Sequence, residues 1–351
     1  MTNPSSNPPF PPNLPLAPLT TISHSKLLSN DSIESSKLLS ACKNQGFFHL
    51  DLRTTPQGAT LLSQSSQLYN LAQSLFALPL ETKQQFALQK GVSLFGYKPA
   101  GTVKTTDPSH RPDSTEFFNI GKDDLFFPTS PDTLATKYPS EITPSLPLLK
   151  SFTSNCHVLA MELLTLLAQE LQLSSDTIFT DLNKFDQTSG DHIRLTHTIH
   201  TPNDNKLGLP SHTDFGTITI LFNWQGGLQI ESTTAPNQWE WVKPLPGHAI
   251  INLGDAMKIF TNGLLKSAKH RVVPLPDNQE KAMERYSVVY FVRPNDNVMM
   301  KAVDKFENDE IRVRVAGKFE PVLGGEGNSS STGEVLTAGE WMVQRAVQLG
   351  N

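Results

Sequence analysis

Two histidines and an aspartate in the second half of the chain have the types and spacing of a metal site. His212 and Asp214 are two residues apart, so on a strand their side chains point to the same face. His270 begins a second β-like run that could bring a third ligand from across a barrel. Two imidazoles and one carboxylate on one face of an octahedral ion leave three positions open, as in non-haem Fe(II) oxygenases. Because zinc sites use the same ligand types, the three residues predict a metal centre but do not choose the metal.

An arginine and a serine further along the chain predict a carboxylate-binding site. On a strand over 285–292, Arg285 and Ser287 share one face with Phe291. A guanidinium can hold a carboxylate through two hydrogen bonds, and a neighbouring hydroxyl can complete the site. The alternative is an ion pair between Arg285 and a carboxylate of this chain, but beside a three-ligand metal set an organic acid is the simpler partner.

The composition limits the kinds of function. The 351 residues include ten histidines but only two cysteines, Cys42 and Cys156, which excludes a disulfide framework and a cysteine-rich zinc site. The formal net charge of −5 argues against nucleic acid or an anionic membrane as the main partner. No apolar run approaches the ~20 residues of a membrane-spanning helix. We therefore expect a reduced, cytoplasmic protein that holds any metal through histidine and carboxylate ligands.

The second half of the chain has the pattern of a β-structure. After residue 190 the apolar period changes from 3.6 to 2, and the runs are separated by Gly, Pro, Asn and Asp. The predicted strands are 193–199, 217–222, 227–231, 239–243, 248–253, 270–273 and 286–292. Many short strands with few helices between them indicate an antiparallel barrel or sandwich.

The first half is predicted to be mainly helical, with a short buried strand at 47–50 and helices at 32–45, 59–77 and 148–172. Asp31 or Ser32 is the expected N-cap of the first of these. Its expected apolar stripe consists of Ile33, Leu38 and Cys42. The longest helix, 148–172, has a continuous apolar face and is expected to brace a sheet.

The two ends of the chain have different compositions from the rest. Residues 1–18 hold seven prolines and no charge, which predicts a disordered or polyproline-like tail. Residues 324–334 are rich in Gly and Ser and predict a flexible loop. Thr337 and Glu340 then form a capping box for a last helix that contains Trp341.

Several short segments together form the pattern of a known family. They are Gly46-Phe47-Phe48, His212-Thr213-Asp214-Phe215-Gly216, Asn252-Leu253-Gly254-Asp255, Lys269-His270-Arg271 and Arg285-Tyr286-Ser287. In these segments the chain resembles the Fe(II)/2-oxoglutarate-dependent dioxygenases of the isopenicillin N synthase-like type. The resemblance covers nearly the whole chain after the proline-rich tail, and the stretch 212–345 is most similar to thymine-hydroxylase-like and fungal small-molecule members.

The resemblance implies a mainly β protein with helical flanks, in which a double-stranded β-helix (jelly-roll, cupin-like) core is braced by N-terminal and C-terminal helices. The expected segments are a tail at 1–18, a helical subdomain at 19–185, a catalytic core at 186–300 and a C-terminal extension at 301–351.

By the same resemblance, His212, Asp214 and His270 would be the iron ligands, and Arg285 and Ser287 would hold the distal carboxylate of 2-oxoglutarate. The implied cofactors are Fe(II), 2-oxoglutarate and O2, with ascorbate as a further reductant. The implied reaction is hydroxylation, desaturation or oxidative cyclisation of a small molecule, with succinate and CO2 as coproducts.

One departure from the family pattern concerns the cosubstrate. Family members often have a tyrosine on the strand that here runs through 194–200, and Thr198 stands at that position. We expect Thr198 to take part in cosubstrate binding. The departure also motivates an alternative, an iron oxidase of the same family that uses no 2-oxoglutarate. A catalytically silent binding protein on the same fold is disfavoured because all three predicted ligands are present.

Strand parity and position suggest a set of substrate-binding residues. The predicted set is Arg194, Thr196, Phe215, Phe291 and Tyr97. Arg194 suits a substrate with a carboxylate, carbonyl or imide edge, unless it pairs with an acidic residue of the chain. His197 and His200 are not expected to bind the metal, because three ligands are already assigned.

Overall fold

The computed structural model describes residues 10–89, 93–102, 112–200, 207–276, 283–307 and 335–348. In these ranges the strands form two sheets. The larger sheet has the spatial order β1 (Thr21–Ser23), β2 (Phe47–Asp51), β10 (His248–Leu253), β7 (Ile218–Asn223), β12 (Met283–Val292), β5 (His192–His200), β4 (Thr115–Gly121) and β3 (Gly96–Lys98). The smaller sheet has the order β6 (Leu209–His212), β11 (His270–Val272), β8 (Leu228–Glu231) and β9 (Trp239–Trp241).

The two sheets pack face to face and form the predicted jelly-roll core. Their shared core includes Leu221 and Val289 from the larger sheet and Leu228 and Ile230 from the smaller one. All neighbouring strands are antiparallel except β1 and β2. The predicted parity of β12 is confirmed, because Arg285 lines the cavity between the sheets whereas Tyr286 packs in the helical core behind the larger sheet.

The outer face of the larger sheet is covered by helices. The helices of the described residues are α1 (His24–Leu28), α2 (Ser32–Asn44), α3 (Pro56–Phe76), α4 (Leu80–Gln84), α5 (Lys122–Phe126), α6 (Thr133–Lys137), α7 (Leu146–Glu170), α8 (Ile178–Asp181), α9 (Asp255–Phe260) and α10 (Ala338–Gln348), with 3-10 turns at Ser140–Ser145 and Asp304–Glu307. Of these, α2, α3, α4, α5 and α7 pack against strands of the larger sheet. In α7, Leu159 and Leu163 belong to a fully buried face that packs in the same core as Leu195 and Val288 of the sheet. The expectation that the longest helix braces a sheet is therefore confirmed.

Helix α2 begins and ends as predicted but buries a different face. The Asp31 side chain accepts hydrogen bonds from the backbone N–H groups of Ile33 and Glu34, which caps the helix. Ile33 itself is 70% exposed, so the predicted stripe through Ile33 is wrong. Five residues correspond to about 140° around a helix, so Ile33 and Leu38 cannot share one face.

Two predicted segments contain structure that was not expected. The segment 19–185, expected to be mainly helical with a short strand at 47–50, supplies β1, β2, β3 and β4 to the larger sheet, and only β2 was predicted. The tail expected at 1–18 is attached at its end, since Trp241 N–H donates to Pro15 O (2.8 Å) and Ala17 N–H donates to Trp241 O (2.9 Å). Proline-rich sequence concealed this pairing, which covers the open edge of β9.

The C-terminal helix α10 starts at the predicted capping box. Thr337 N–H donates to Glu340 Oε2 (2.9 Å), and Glu340 N–H donates to Thr337 Oγ1 (3.3 Å). The loop predicted at 324–334 lies outside the described residues. Cys42 and Cys156 are buried free thiols. Among the helices that the structure describes, none has the length and apolar character needed to cross a membrane.

Candidate active site

The three predicted metal ligands meet at one end of the cavity between the sheets. His212 is the last residue of β6 and His270 is the first residue of β11, and the two residues are direct partners in the antiparallel register. Asp214 follows β6 in the loop that leads to β7. Its Oδ1 lies 3.8 Å from His212 Nε2 and 3.7 Å from His270 Nε2. One ligand atom from each residue lies within 4.8 Å of the others, a spacing that fits a single metal ion.

The structure corrects how these residues were expected to converge. His270 comes from the strand next to His212, not from across the barrel. Asp214 lies beyond the end of β6, so the loop and not strand alternation turns its carboxylate towards the histidines.

Backbone carbonyls fix the orientation of both imidazoles. His212 Nδ1 is 2.9 Å from Pro210 O, and His270 Nδ1 is 3.2 Å from Ala268 O. A carbonyl can only accept, so each Nδ1 carries the hydrogen and each Nε2 presents a lone pair towards Asp214. This second hydrogen bond is characteristic of metal-binding histidines.

The carboxylate of Asp214 is held in a similar way. Its Oδ2 accepts hydrogen bonds from Thr219 Oγ1 and Asn252 Nδ2, both at 2.7 Å, which leaves Oδ1 directed at the two imidazoles. Neither donor was predicted from the sequence. Asn252 belongs to the segment Asn252-Leu253-Gly254-Asp255, one of those by which the chain resembles the family. The resemblance singled out this segment but did not indicate that Asn252 binds Asp214.

The charge states suit a cation. Burial, together with the neighbouring His270, lowers the pKa of His212 to about 4, so the imidazole is neutral at pH 7. Burial alone raises the pKa of Asp214, but His270, His212 and the two hydrogen bonds hold that pKa below its usual value. Neutral imidazoles and an ionised carboxylate are the forms that bind metals.

Arg285 and Ser287 lie in the wall of the same cavity. Arg285 Nε donates to Gly226 O (2.9 Å), and Arg285 Nη1 lies 3.5 Å from Ser287 Oγ. No carboxylate among the described residues pairs with this guanidinium, so the ion pair considered as the alternative is not seen there. Burial lowers the pKa of Arg285 to about 10, which keeps it charged at neutral pH. The cavity therefore presents a buried cation to an anionic ligand.

Thr198 also lines the cavity, but its hydroxyl is engaged. Thr198 Oγ1 lies 2.7 Å from Thr115 Oγ1, and Thr115 Oγ1 donates to Gly208 O (2.6 Å). Because Thr115 gives its hydrogen to a carbonyl, Thr198 must donate to Thr115 and has no hydrogen left for a carboxylate. Thr198 can therefore not replace the hydroxyl donor of a tyrosine. Thr196 is different, since it shares a hydrogen bond with Ser287 and can leave the Ser287 hydrogen free for a ligand.

Arg194 lies between two aromatic rings at another part of the cavity wall. Its guanidinium carbon is 4.1 Å from the centre of the Phe117 ring and 4.8 Å from that of the Phe291 ring. Arg194 Nε donates to Asn119 Oδ1 (2.8 Å), so this nitrogen is bonded to an amide and not to an acid. Burial, with Arg293 nearby, lowers the pKa of Arg194 to about 9. Phe117 and Asn119 were missed because β4 was not predicted.

Two predicted substrate residues do not line the cavity. Tyr97 is 1% exposed and donates to Glu116 Oε2 in the core behind the larger sheet. Phe215 packs against Trp341 of α10, with ring centres 6.2 Å apart. The structure therefore does not support either as a substrate contact. His197 bonds to Glu116 (2.8 Å), and neither His197 nor His200 belongs to the metal-binding group.

The remaining predicted site residues share one cavity of about 70 Å³ with apolar side chains of both sheets. Its lining consists of Phe47, Thr115, Arg194, Thr196, Thr198, Leu209, His212, Asp214, Thr219, Leu221, Leu228, Asn252, His270, Val272, Arg285, Ser287, Val289 and Phe291. Two buried cations, Arg194 and Arg285, thus share the cavity with three side chains that could hold a metal ion.

Comparisons with known proteins agree with this geometry. The profile of the 2OG-Fe(II) oxygenase superfamily matches residues 189–294, and that of the non-haem dioxygenase in morphine synthesis N-terminal matches residues 16–144. The chain is 34% identical to a 2-oxoglutarate-dependent dioxygenase of Gibberella zeae, over 84% of each protein. It is 29% identical to a 2-oxoglutarate-dependent dioxygenase of Aspergillus fumigatus, over 95% of this chain and 86% of the relative.

The fold has a counterpart among solved structures. A full-length Neurospora crassa protein, crystallised in complex with alpha-KG, superposes with a TM-score of 0.73, over 94% of this chain and 96% of that one, at 24% identity. The same Neurospora crassa protein has been solved with alpha-KG and thymine, with a TM-score of 0.71. At this identity the likeness concerns the fold.

Proposed function

The chain belongs to the 2OG-Fe(II) oxygenase superfamily and is an Fe(II)/2-oxoglutarate-dependent dioxygenase; from this premise we propose how its own residues carry the reaction. His212, Asp214 and His270 hold the iron, and Arg285 with Ser287 holds the distal carboxylate of 2-oxoglutarate. One observation carries this assignment. Among the described residues, a single cavity contains both a cluster of two histidines and one carboxylate and a buried guanidinium that has no acidic partner.

Iron and 2-oxoglutarate, when bound, supply the oxidation, in which 2-oxoglutarate and O2 give succinate, CO2 and an oxidised substrate. The chain contributes binding, orientation and exclusion of water. The carbonyls of Pro210 and Ala268 keep both Nε2 lone pairs directed at the metal position. The apolar side chains of Leu221, Leu228 and Val289 surround the polar groups and limit the access of water.

For the substrate we propose a small molecule with a flat ring or an apolar body and a carboxylate, carbonyl or imide edge. The support is Arg194, whose guanidinium lies between Phe117 and Phe291 and forms no ion pair with an acidic side chain among the described residues. A guanidinium held by aromatic rings recognises planar acceptor groups. Thymine, found in complex with the Neurospora crassa protein, is a molecule of this description. Of the predicted substrate-binding residues, Thr196 and Phe291 also line the cavity and are proposed as further substrate contacts.

The first test is spectroscopic and needs no substrate. Under anaerobic conditions, Fe(II) and 2-oxoglutarate should give a weak visible charge-transfer band with the wild type. His212→Ala and Asp214→Ala should lose it. His248→Ala is the matched control, because His248 Nδ1 makes the same kind of bond to a carbonyl, Pro246 O at 2.9 Å, yet lies outside the cavity.

Aerobic turnover then tests the cosubstrate. Succinate should form in step with the oxidised product, and both should disappear in the Asp214→Ala variant. A product formed without succinate would instead support an oxidase that takes all its electrons from the substrate. A charge-transfer band that persists in His212→Ala would refute the assigned metal site.

A further inference from the structure

The loop that carries Asp214 is tied to the C-terminal helix through one carboxylate. Thr213, between the two ligands of the loop, donates from Oγ1 to Asp255 Oδ2 (2.9 Å). The same oxygen accepts a hydrogen bond from Arg345 Nη2 of α10 (2.8 Å). Asp255 therefore links the metal-binding loop and the start of α9 to Arg345 of α10, 90 residues further along the chain.

Further contacts hold the residues on both sides of the ligand. The backbone N–H of Asp255 donates to Asp214 O (2.8 Å), so Asp255 forms hydrogen bonds with both Asp214 and Thr213. On the other side, the Arg345 guanidinium carbon lies 5.1 Å from the centre of the Phe215 ring, against which Trp341 also packs. Three successive residues, 213 to 215, are thus held by α9 and α10.

This arrangement exceeds what packing of a terminal helix requires. Asp255 and Arg345 are mostly buried, at 16% and 18% side-chain exposure, and their ion pair is directed at the loop. The donors to Asp214 Oδ2, Thr219 and Asn252, fix one end of the carboxylate, whereas the backbone between the ligands is fixed through Asp255. Groups that orient metal ligands affect metal affinity although they do not touch the ion.

We propose that Arg345 and Asp255 are positioning residues of the metal site, and that α10 sets the metal affinity of the loop His212–Asp214 through them. The inference rests on the metal site proposed above. Loss of the ion pair lets Thr213 rotate away and lets Asp214 Oδ1 leave its position near the two Nε2 atoms. Metal affinity falls as a result, while the two sheets keep their packing.

The experiment measures binding of Fe(II), under anaerobic conditions and without 2-oxoglutarate, to the full-length protein. The variants are Arg345→Met, which keeps an unbranched side chain but removes the guanidinium, Asp255→Asn, and the two combined. The control is Arg53→Met. Arg53 Nη2 also lies 2.8 Å from a carboxylate oxygen, Asp51 Oδ2, but Asp51 is the last residue of β2, whereas Phe47 at the other end of that strand lines the cavity.

We expect Arg345→Met and Asp255→Asn each to raise the Kd for Fe(II) at least about tenfold, as changes in groups that orient metal ligands do. The double variant should be no more than about twofold weaker than Asp255→Asn, because Arg345 acts through Asp255. Arg345→Lys should restore part of the affinity. Arg53→Met should change it less than about twofold.

Bound Mn(II) gives a second readout, because its electron paramagnetic resonance spectrum reports the ligand geometry and should broaden in Arg345→Met.

Affinity within about twofold of wild type in both single variants would overturn the inference. So would a loss of affinity that Arg345→Lys does not relieve, or additive losses in the double variant. A wild type that binds no Fe(II) would overturn the proposed metal site itself, which is a different failure. If Arg345→Met does not fold, Asp255→Asn and Arg345→Lys decide the question alone.

Discussion

Hydrogen-bond direction separates the roles of Thr198 and Ser287, two hydroxyls in the same cavity wall. Thr198 donates to Thr115, which in turn donates to the carbonyl of Gly208, so this chain of bonds is complete without a ligand. Ser287 lies beside Arg285 and can accept from Thr196, which leaves its own hydrogen for a carboxylate. The two positions should therefore respond differently to removal of the hydroxyl.

We predict that Ser287→Ala raises the Kd for 2-oxoglutarate about tenfold, since a hydrogen bond to a charged group contributes about 1.5–3 kcal/mol. Thr198→Val, similar in shape, should change it less than about twofold. Anaerobic titration of the charge-transfer band measures both constants. Equal weakening by the two variants would show that Thr198 donates to the cosubstrate after all.

At the scale of the elements, β4, β5 and β12 carry a polar network on the face opposite the cavity. Glu116, His197 and Tyr286 are in register across these strands, directly behind Thr115, Thr198 and Arg285. Glu116 accepts from Lys83 Nζ (2.8 Å) and from Tyr97, and it bonds to His197, whose ring stacks on Tyr286 with centres 4.5 Å apart. The network joins helix α4, through β4 and β5, to β12, the strand of the proposed cosubstrate anchors Arg285 and Ser287.

Glu116→Leu should destabilise the protein by about 3–5 kcal/mol, because it leaves the buried ammonium of Lys83 without its counter-charge. The double variant Glu116→Leu/Lys83→Met should recover at least half of that loss, since it removes the uncompensated charge. Urea unfolding of the three proteins measures the difference. A double variant less stable than Glu116→Leu would contradict this explanation.

The same strands show where the sequence is informative about structure and where it is not. The alternation of side chains along residues 285–292 was sufficient to separate the residues that line the cavity from those that pack in the helical core. Successive residues of a strand point to opposite faces, and both faces of this strand are buried. In β4, however, Glu116 points into the helical core, and only its pairing with Lys83, Tyr97 and His197 makes that burial tolerable. Partners so distant in sequence leave no local pattern, so β4 was missed, together with its cavity residue Thr115 and with Phe117, whose ring contacts Arg194.

At the scale of the whole molecule, buried neutral histidines make the stability depend on pH. Burial lowers the pKa of His49 to about 4, and burial with Arg293 and Arg194 nearby lowers that of His192 well below its usual value. Below pH 6.5 the unfolded chain binds protons at these sites that the folded chain does not bind. Stability therefore falls as the pH drops from 6.5 towards 4.

For His49 alone we expect a loss on the order of 2 kcal/mol across this window. His49 Nε2 lies 3.1 Å from Lys243 O. In the His49→Gln variant the glutamine amide can still donate to this carbonyl, but it has no group that titrates. Its Tm should fall less between pH 7 and pH 5 than that of the wild type. Parallel Tm curves for the two proteins would exclude His49 as a source of the acid sensitivity.

The guanidinium of Arg285, buried and without an acidic partner among the described residues, has a consequence for the lifetime of the protein in the cell. Folding must desolvate this charge; the hydrogen bond to Gly226 O offsets part of the cost, and a bound dicarboxylate would offset more of it. A ligand that binds the folded state alone stabilises it in proportion to RT ln(1 + [L]/Kd). The fraction of the enzyme that survives proteolysis should therefore rise with the concentration of 2-oxoglutarate.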